Sequence, residues 1–433
     1  MMAPRLSLAA LAAAALLAAS ASAQTVVPLD DALDLARTRS IDVLRASATV
    51  ASARASAEAV DDRRWPSLSL TSGAGQRYGL AFDQTVGGLT QSTTEEVDVG
   101  LRASYVVFDG FERRAQARST DATLRAAELD RAQAEQRAVA AVLQGYLAVA
   151  QAEAARVVAA SATEAAEELM AEVETLVAHG ARPAVEVSQQ RERVAAAQAR
   201  VLMAERDAAL AEAGLVRLLG LEPAQVYAFP SPTALGAPVA EVGVLIERAL
   251  AARPDLRAAS VAVEAAEADG RAARAGRLPQ VALSARVGTS YSSASPGFVG
   301  QFGDNRGGGV GVSVSLPIFD RGTTRERTRL AEARAQALRA EADDARRAVA
   351  LDVREAHVRL TSLEDQAAVA DVRVEAADAA LAAERARYAA GAVTLQAVSL
   401  AESRAVEARA ERERLRVSAR FQRLLLDVAV GDA

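Results

Sequence analysis

The strongest constraint on this fold is that the chain carries one sequence pattern twice. Matching residues recur at two constant offsets, 211 and 213 positions, over nearly the whole length. The pairs at 211 are Phe108 and Phe319, Gly180 and Gly391, and Gly220 and Gly431; those at 213 are Asp42 and Asp255, Ser47 and Ser260, and Pro66 and Pro279. Because a fixed period identifies repeated structural units, we expect two copies of one unit. We place them at residues 24–221 and 242–433, with a proline-rich linker at 222–241.

Each repeat contains a helical stretch of unusual length. No proline and only one glycine, Gly145, occur between residues 111 and 179, and neither residue type occurs between residues 323 and 390. At 1.5 Å per residue, about 68 residues predict a rod of about 100 Å. Glycine then predicts a turn, at Gly180 and at Gly391, from which a second long helix runs back.

The composition indicates how such helices pack. The 433 residues are 51% hydrophobic but only 3% aromatic, and most of the apolar residues are alanine. Alanine buries little area, so the core is expected to be thin, with helices in close, coiled-coil-like contact. The predicted fold class is therefore mainly α with a small β part, built on long helical hairpins.

A shorter helical region opens each repeat, at residues 30–64 and 242–276, with apolar residues at three- and four-residue spacing. Pro254 interrupts the second region and suits the first position of a new helix. Arg39 and Ser40 occupy the matching place in the first region. We therefore expect two helices in each region.

The segments that follow have strand periodicity. Leu68 and Leu70 alternate with small polar residues, and after a polar, glycine- and threonine-rich loop the alternation returns over residues 97–107. The second repeat alternates over residues 281–287 and again over 310–318. Alternation with period two predicts one β-hairpin per repeat, at 67–108 and 280–319, and four strands of about ten residues per chain.

These strand segments have the chemistry of a membrane surface. They hold ten of the fifteen aromatic residues, most of them at strand ends. Asp98, Arg102 and Arg286 all fall on one face, and the opposite face is free of charge. A soluble sandwich would also alternate, but aromatic girdles and a charge-free face are typical of transmembrane strands.

Four strands cannot close a barrel, and an open edge in hydrocarbon leaves backbone groups without partners. If the strands span a membrane, the chain must therefore oligomerise. Two chains would give eight strands with a filled interior, and three would give twelve strands with room for a channel.

The N-terminus predicts export. A short positive start, the apolar run of residues 6–19 and the small residues Ala21, Ser22 and Ala23 fit a secretory signal peptide over residues 1–23. No later segment comes near 18 uninterrupted apolar residues, so we expect no helical membrane span.

The residue inventory argues against several other functions. The chain has no cysteine and only two histidines, His179 and His357, and no nucleophile, base and orienting group fall together. We therefore expect neither an enzyme nor a metal or other cofactor site. A formal charge of −6 without a clustered basic surface argues against nucleic-acid binding.

This order of elements resembles the TolC-like outer-membrane efflux protein family over essentially the whole mature chain. The resemblance is carried by short motifs that are weak individually but recur in a specific order: Leu29-Asp30-Asp31-Ala32-Leu33, Arg217-Leu218-Leu219-Gly220, Pro254-Asp255-Leu256-Arg257-Ala258-Ala259, Leu278-Pro279, Leu316-Pro317-Ile318-Phe319-Asp320 and Arg387-Tyr388-Ala389-Ala390-Gly391-Ala392-Val393-Thr394.

The resemblance implies a homotrimer with a 12-stranded barrel in outer-membrane lipid and a periplasmic α-barrel. Such a protein would be the passive exit duct of a tripartite efflux or type I secretion system. Its partners would be a periplasmic adaptor and an inner-membrane pump of the RND, ABC or MFS type.

The resemblance also assigns candidate functional residues. The two turns would form the periplasmic tip where the adaptor docks, which singles out Gly180, Gly391, Arg182 and Thr394. The acidic residues that ring the tip of well-known members are replaced here by Ala397 and Leu400. Any gate charge would come from Glu186 or Glu402.

Two alternatives remain open at this stage. A periplasmic adaptor, or membrane fusion, protein is also exported and rich in long hairpins, but it would need a lipoyl-type β-domain interrupting a single hairpin. A structural periplasmic coiled coil would leave the strand segments without a purpose.

Overall fold

A computed structural model describes residues 25–83, 87–232, 239–293 and 298–432. The predicted signal peptide, residues 1–23, lies outside the described residues. The chain forms two compact units. The described residues of the first, the helical unit, lie within Met1–Ala48, Leu129–Leu256 and Asp344–Ala433, and those of the second, the strand unit, lie within Thr49–Glu128 and Arg257–Asp343.

Helices dominate the secondary structure. The first repeat contains α1 (Leu29–Arg39), α2 (Ile41–Asp61), α3 (Glu112–Ala178) and α4 (Val185–Leu219). The second contains α5 (Val242–Ala252), α6 (Pro254–Ala275), a short α7 (Phe298–Asp304), α8 (Thr323–Ala389) and α9 (Leu395–Val430). As predicted, each opening helical region is two helices, and α6 ends at Ala275, before Pro279. Helix α7 was not predicted.

The repeated Phe-Asp pairs have a structural explanation. Asp109 accepts a hydrogen bond from the backbone N–H of Arg113, at 3.0 Å, and Asp320 accepts one from that of Thr324, at 2.8 Å. Each carboxylate thus satisfies a backbone donor in the first turn of a long helix, α3 or α8. Hydrogen bonds from Thr324 and Gly322 lower the pKa of Asp320 to about 2.

Many of the buried residues of the helical unit are alanine, as the composition predicted. Its largest cluster packs α1 and α2 against α3, α4 and the end of α9, around the buried side chains of Tyr146 and Phe421. The Tyr146 hydroxyl donates to the backbone oxygen of Val27 at 2.7 Å. That bond lies beside a two-stranded parallel ribbon, β1 (Thr25–Val26) with β4 (Tyr227–Ala228), which the sequence did not predict.

The strand unit contains one antiparallel sheet of β2 (Ser67–Asp83), β3 (Gly88–Phe108), β5 (Gln280–Ser292) and β6 (Gly307–Ser315), in the order β2-β3-β5-β6. Among the described residues, β2 and β6 are therefore edge strands. Two sequence predictions were wrong in extent. The glycine- and threonine-rich segment expected to be a loop is mostly strand, so that β2 has 17 and β3 has 21 residues. Strand β6 ends at Ser315, because Pro317 cannot donate to the ladder.

The sheet has two chemically different faces. Alternate residues on one face are apolar and remain exposed in the single chain, for example Leu68 and Leu70 in β2 and Val310, Val312 and Val314 in β6. We call the other face the polar face. It carries serine, threonine, glycine and the charged residues of the sheet centre. The single chain thus exposes most of an apolar sheet face; at the end of β5, Phe302 of α7 stacks against Tyr291.

Among the described helices, α3 alone contains a stretch long and apolar enough to cross a membrane, judged by length and composition only. The sequence predicts no helical span because no segment after the N-terminus has 18 uninterrupted apolar residues, a stricter criterion than mean hydropathy. One third of the stretch is buried inside the chain, and the core helix of a soluble protein meets the same criterion.

Candidate functional site

The two glycine turns join the long helices within the helical unit. Gly180, with φ 73°, follows α3, and Gly391, with φ 79°, follows α8. Both turns close with the same two backbone bonds: the glycine N–H donates to the carbonyl three residues back, at 2.9 Å, and the next N–H donates to the carbonyl five residues back, at 2.9 or 2.8 Å. This Schellman motif favours glycine, because only glycine adopts a left-handed φ without strain. Among the described residues, no atom lies within 4 Å of a Cβ built on either glycine, so each glycine itself faces open space.

A buried tyrosine connects the turn of the second repeat to that of the first. Tyr388 lies three residues before Gly391, and its side chain is fully buried. Its hydroxyl donates to Oε2 of Glu186, in the first turn of α4, at 2.7 Å. The guanidinium carbon of Arg182 lies 4.2 Å from the centre of the tyrosine ring, and its Nη2 donates to the Tyr388 backbone oxygen. We call Arg182, Glu186 and Tyr388 the tip latch.

The electrostatics of the tip latch favour a neutral phenol. Burial raises the pKa of Tyr388 well above its usual range, and the hydrogen bond to the Glu186 carboxylate raises it further. Arg182 acts in the opposite direction, but with a smaller effect. The phenol therefore remains an O–H donor across the physiological pH range, and the cation over the ring face adds cation–π attraction.

A second charged group lies farther along the same helices. Glu402 of α9 pairs with Arg385 of α8, with Oε1 and Nη2 3.4 Å apart, and its side chain is only 12% exposed. Burial raises the pKa of Glu402, although the positive charges of Arg385 and Arg193 oppose the rise. Burial therefore disfavours the charged carboxylate more than the two arginines stabilise it.

Glu402 and Arg193 line a groove of about 390 Å³ between α3, α4 and α9. Nη1 of Arg193 and Oε1 of Gln190 are buried without a hydrogen-bond partner among the described residues. Leu400 also lines the groove and is 54% exposed.

The six residues singled out from the sequence all lie at or near the two turns. Gly180 and Gly391 form the turns, Arg182 and Glu186 belong to the tip latch, and Thr394 precedes α9 without a side-chain cap hydrogen bond. The structure brings Glu186 and Arg182 together with Tyr388, and it places Glu402 in a separate pair. Neither acid is presented as a free surface charge: Glu186 is 9% exposed.

Sequence reasoning did not identify Tyr388, Gln190, Arg193 or Arg385 as site residues. A signal for Tyr388 was available. It is an isolated aromatic residue three positions before a turn glycine, where the first repeat has Val177. An aromatic residue beside a predicted turn in only one of the two repeats is a candidate for a role in that copy alone. Among the residues that the structure describes, no group of three acidic or histidine side chains could hold a metal ion.

The comparisons with known proteins agree with this architecture. The pyoverdine export outer membrane protein OpmQ of Pseudomonas aeruginosa is 32% identical over 301 residues, which are 69% of this chain but only 62% of that protein. OpmQ of Pseudomonas putida is 29% identical over 411 residues, 93% of this chain and 85% of that protein. The solved structure of the outer-membrane channel OprN is 26% identical and superposes with a TM-score of 0.79, covering 94% of this chain and 90% of OprN.

The match also extends to both repeats separately. The profile of the family described as outer membrane efflux protein matches residues 32–221 and 245–432, which together include both turns, all four strands of the sheet and the tip latch. A lipoyl-type β-domain is not among the described elements, and the four-stranded sheet contradicts a pure coiled coil. The chain therefore belongs to the outer membrane efflux protein family.

Proposed function

We propose that this protein is the outer-membrane exit duct of an efflux system, in which three copies close their sheets into one 12-stranded barrel. The observation that carries this proposal is the sheet itself. It has an exposed apolar face, a polar face and two edge strands, β2 and β6. Lipid would cover the apolar face, and pairing of β2 with β6 of a neighbouring copy would satisfy both edges. Twelve strands leave a lumen wide enough for solutes.

The partners follow from the family. OpmQ is named for pyoverdine export in its own organisms. For this chain, we propose passive export driven by an inner-membrane pump of the RND, ABC or MFS type and reached through a periplasmic adaptor. The two turns would form the periplasmic tip, with Gly180, Gly391, Arg182 and Thr394 at the adaptor surface.

The tip latch would hold the duct closed. Its hydrogen bond joins the end of α8 to the start of α4, two helices that must separate if the tip widens. Glu402 and Arg385 also link α9 to α8, but because burial raises the pKa of Glu402, its protonated form rather than the ion pair favours the closed state. In this proposal Glu186 acts by holding helices together, and the exposed Leu400 replaces an acidic ring.

Paired cysteine variants test the stoichiometry directly, because the natural chain contains no cysteine. We expect variants with one cysteine in β2 and one in β6 to form covalent ladders that stop at three chains. Variants with cysteines facing each other in β3 and β5, which already pair within one chain, are the matched control and should give no ladder. Ladders that stop at two or continue past three would refute the trimer.

The purified protein should also conduct ions in planar lipid bilayers. A protein that stays in solution without detergent and forms no pores would refute the exit-duct proposal as a whole.

A further inference from the structure

One row across the polar face carries two arginines side by side. Arg102 of β3 and Arg286 of β5 are direct partners in the antiparallel register. The row is completed by Ser69 of β2 and Gly309 of β6. Both arginines are exposed. We call Arg102 and Arg286 the arginine pair.

The arginine pair has no counter-charge. Among the residues that the structure describes, neither guanidinium has an ion pair or a side-chain hydrogen bond. Like charges opposite each other destabilise a strand pair, so the sheet gains nothing from them. Their unused donors remain available: each guanidinium has five N–H groups arranged to bind oxyanions.

The neighbours of the arginine pair leave room for a solute. The rows on either side contain only serine, threonine and glycine: Ser67, Ser104, Ser284 and Gly311 on one side, and Thr71, Gly100, Gly288 and Gly307 on the other. A cleft of about 360 Å³ lies over Arg102, Arg286 and the glycines of β6. No side chain longer than threonine borders the arginine pair in these rows.

The acidic residues of the polar face do not neutralise the arginine pair. Glu96 is already paired with Arg77, with Oε2 and Nη2 2.9 Å apart. Asp98 is four residues from Arg102 along β3, which is about 14 Å between Cα atoms at 3.4 Å per residue. Its Oδ1 lies over Gly73 of β2, where a Cβ would be only 2.7 Å away. Asp98 lines one cleft of about 510 Å³ with the arginine pair, but among the described residues it forms no ion pair with either guanidinium.

We infer that the polar face forms an electropositive ring that selects small organic anions, solutes with exposed carboxylate or phosphate oxygens, as the cargo that passes. The inference rests on the proposed function, because a threefold barrel brings three arginine pairs, six guanidinium groups, to one level of the lumen. Positive groups with unused donors in a confined passage raise the local concentration of anions and lower that of cations. The ring would act within the strand unit, independently of the closure at the tip.

Charged thiol reagents can measure this potential locally. In the cysteine-free chain, Ser69→Cys places one thiol in the row of the arginine pair. The full-length trimer in detergent is treated with an anionic and with a cationic methanethiosulfonate, and the ratio of the two rates is compared with and without R102S/R286S. The ratio cancels any change in the reactivity of the thiol itself. With charges about 7–10 Å apart in water and a Debye length of about 10 Å, we expect the arginine pair to raise the anion-to-cation ratio about fivefold.

Arg77→Ser is the matched control. It removes an arginine from the same face, eight residues from Ser69 along β2, and should leave the rate ratio unchanged. If the serine double variant does not assemble, R102Q/R286Q retains side-chain bulk and removes the same charges. Ser284→Cys, in the next row, is a second reporter.

The outcomes separate this inference from the proposed function. Conducting trimers whose rate ratio is near one and unchanged by R102S/R286S would overturn the electropositive ring alone. Conducting trimers in which the thiol reacts with neither reagent would show that the polar face is not the water-filled side, which also overturns it. A protein that forms no pores would refute the exit duct itself. Reversal potentials in a KCl gradient should shift towards cation selectivity in the double variant.

Discussion

Replacing Tyr388 with phenylalanine tests whether the tip latch keeps the duct closed. The change removes one oxygen and leaves the ring, so that packing and the contact with Arg182 are retained. The lost bond is 2.7 Å long, its acceptor is a carboxylate, and both side chains are buried, Tyr388 at 0% and Glu186 at 9% exposure. A hydrogen bond to a charged group contributes about 1.5–3 kcal/mol. A loss of about 2 kcal/mol from the closed state would lower the closed-to-open ratio about 30-fold.

Single-channel recording in planar bilayers measures this ratio as open probability. Tyr146→Phe is the matched control, because that hydroxyl also makes a buried 2.7 Å hydrogen bond, to the backbone oxygen of Val27, but in the cluster around α1. We expect it to lower thermal stability by about 1 kcal/mol without changing open probability. The reasoning is refuted if Tyr388→Phe stays as closed as the wild type, or if both variants open alike.

Three further predictions follow from single positions. Gly391→Val should impair export while trimer and membrane insertion remain intact, because its φ of 79° is strained for valine; Gly391→Asn, which tolerates this conformation, should export normally in a substrate-resistance assay. Gly288→Ala should reduce the amount of heat-resistant oligomer, measured on gels, because the new Cβ would lie 2.8 Å from the Val99 backbone oxygen. In the control Gly309→Ala, the new Cβ meets no atom within 4 Å, and this variant should assemble normally. Because burial raises the pKa of Glu402 in the closed structure, protonation favours closure: open probability should fall as the pH is lowered through that raised pKa, and Glu402→Gln should abolish this dependence. An unchanged pH profile in the glutamine variant would contradict the role of Glu402.

The long helices and their turns were predictable because they depend on local chemistry. Helices α3 and α8 extend over 67 residues each, where proline is absent, and each turn has glycine at the residue with a left-handed φ. Such features need no knowledge of distant contacts. The split of the second opening region at Pro254 has the same origin.

The strands were harder to delimit. Residues 72–83 and 88–96 have few large apolar side chains, so their alternation is weak, and their pairing partners across the sheet decide that they are strand. The end of β6 at Ser315 depends on the missing donor of Pro317, although the apolar alternation continues to Ile318. The alternation of hydrophobic residues alone therefore predicts β2 and β3 too short and β6 too long.

The tip latch could not be derived from spacing. Tyr388 and Glu186 are 202 residues apart, one in each repeat, and the bond between them exists only because the two hairpins pack together. Each repeat read separately predicts a turn and nothing more. The arginine pair is similar: the sequence places both residues on the charged face, but only the register makes them direct partners.

The two edge strands of the sheet affect how the newly synthesised protein assembles and how readily it aggregates. Every residue of β6 is exposed in the single chain, including three valines in alternation, and its outer backbone groups have no partner among the described residues. An isolated copy therefore resembles the segments from which strand-mediated aggregates grow. Productive assembly needs encounters between several copies, so its rate falls steeply with dilution, while off-pathway association with any other exposed strand remains available. We expect a holding chaperone to occupy β2 and β6 during transit, and the cellular yield of the protein to depend on that chaperone more than on the thermodynamic stability of the helices.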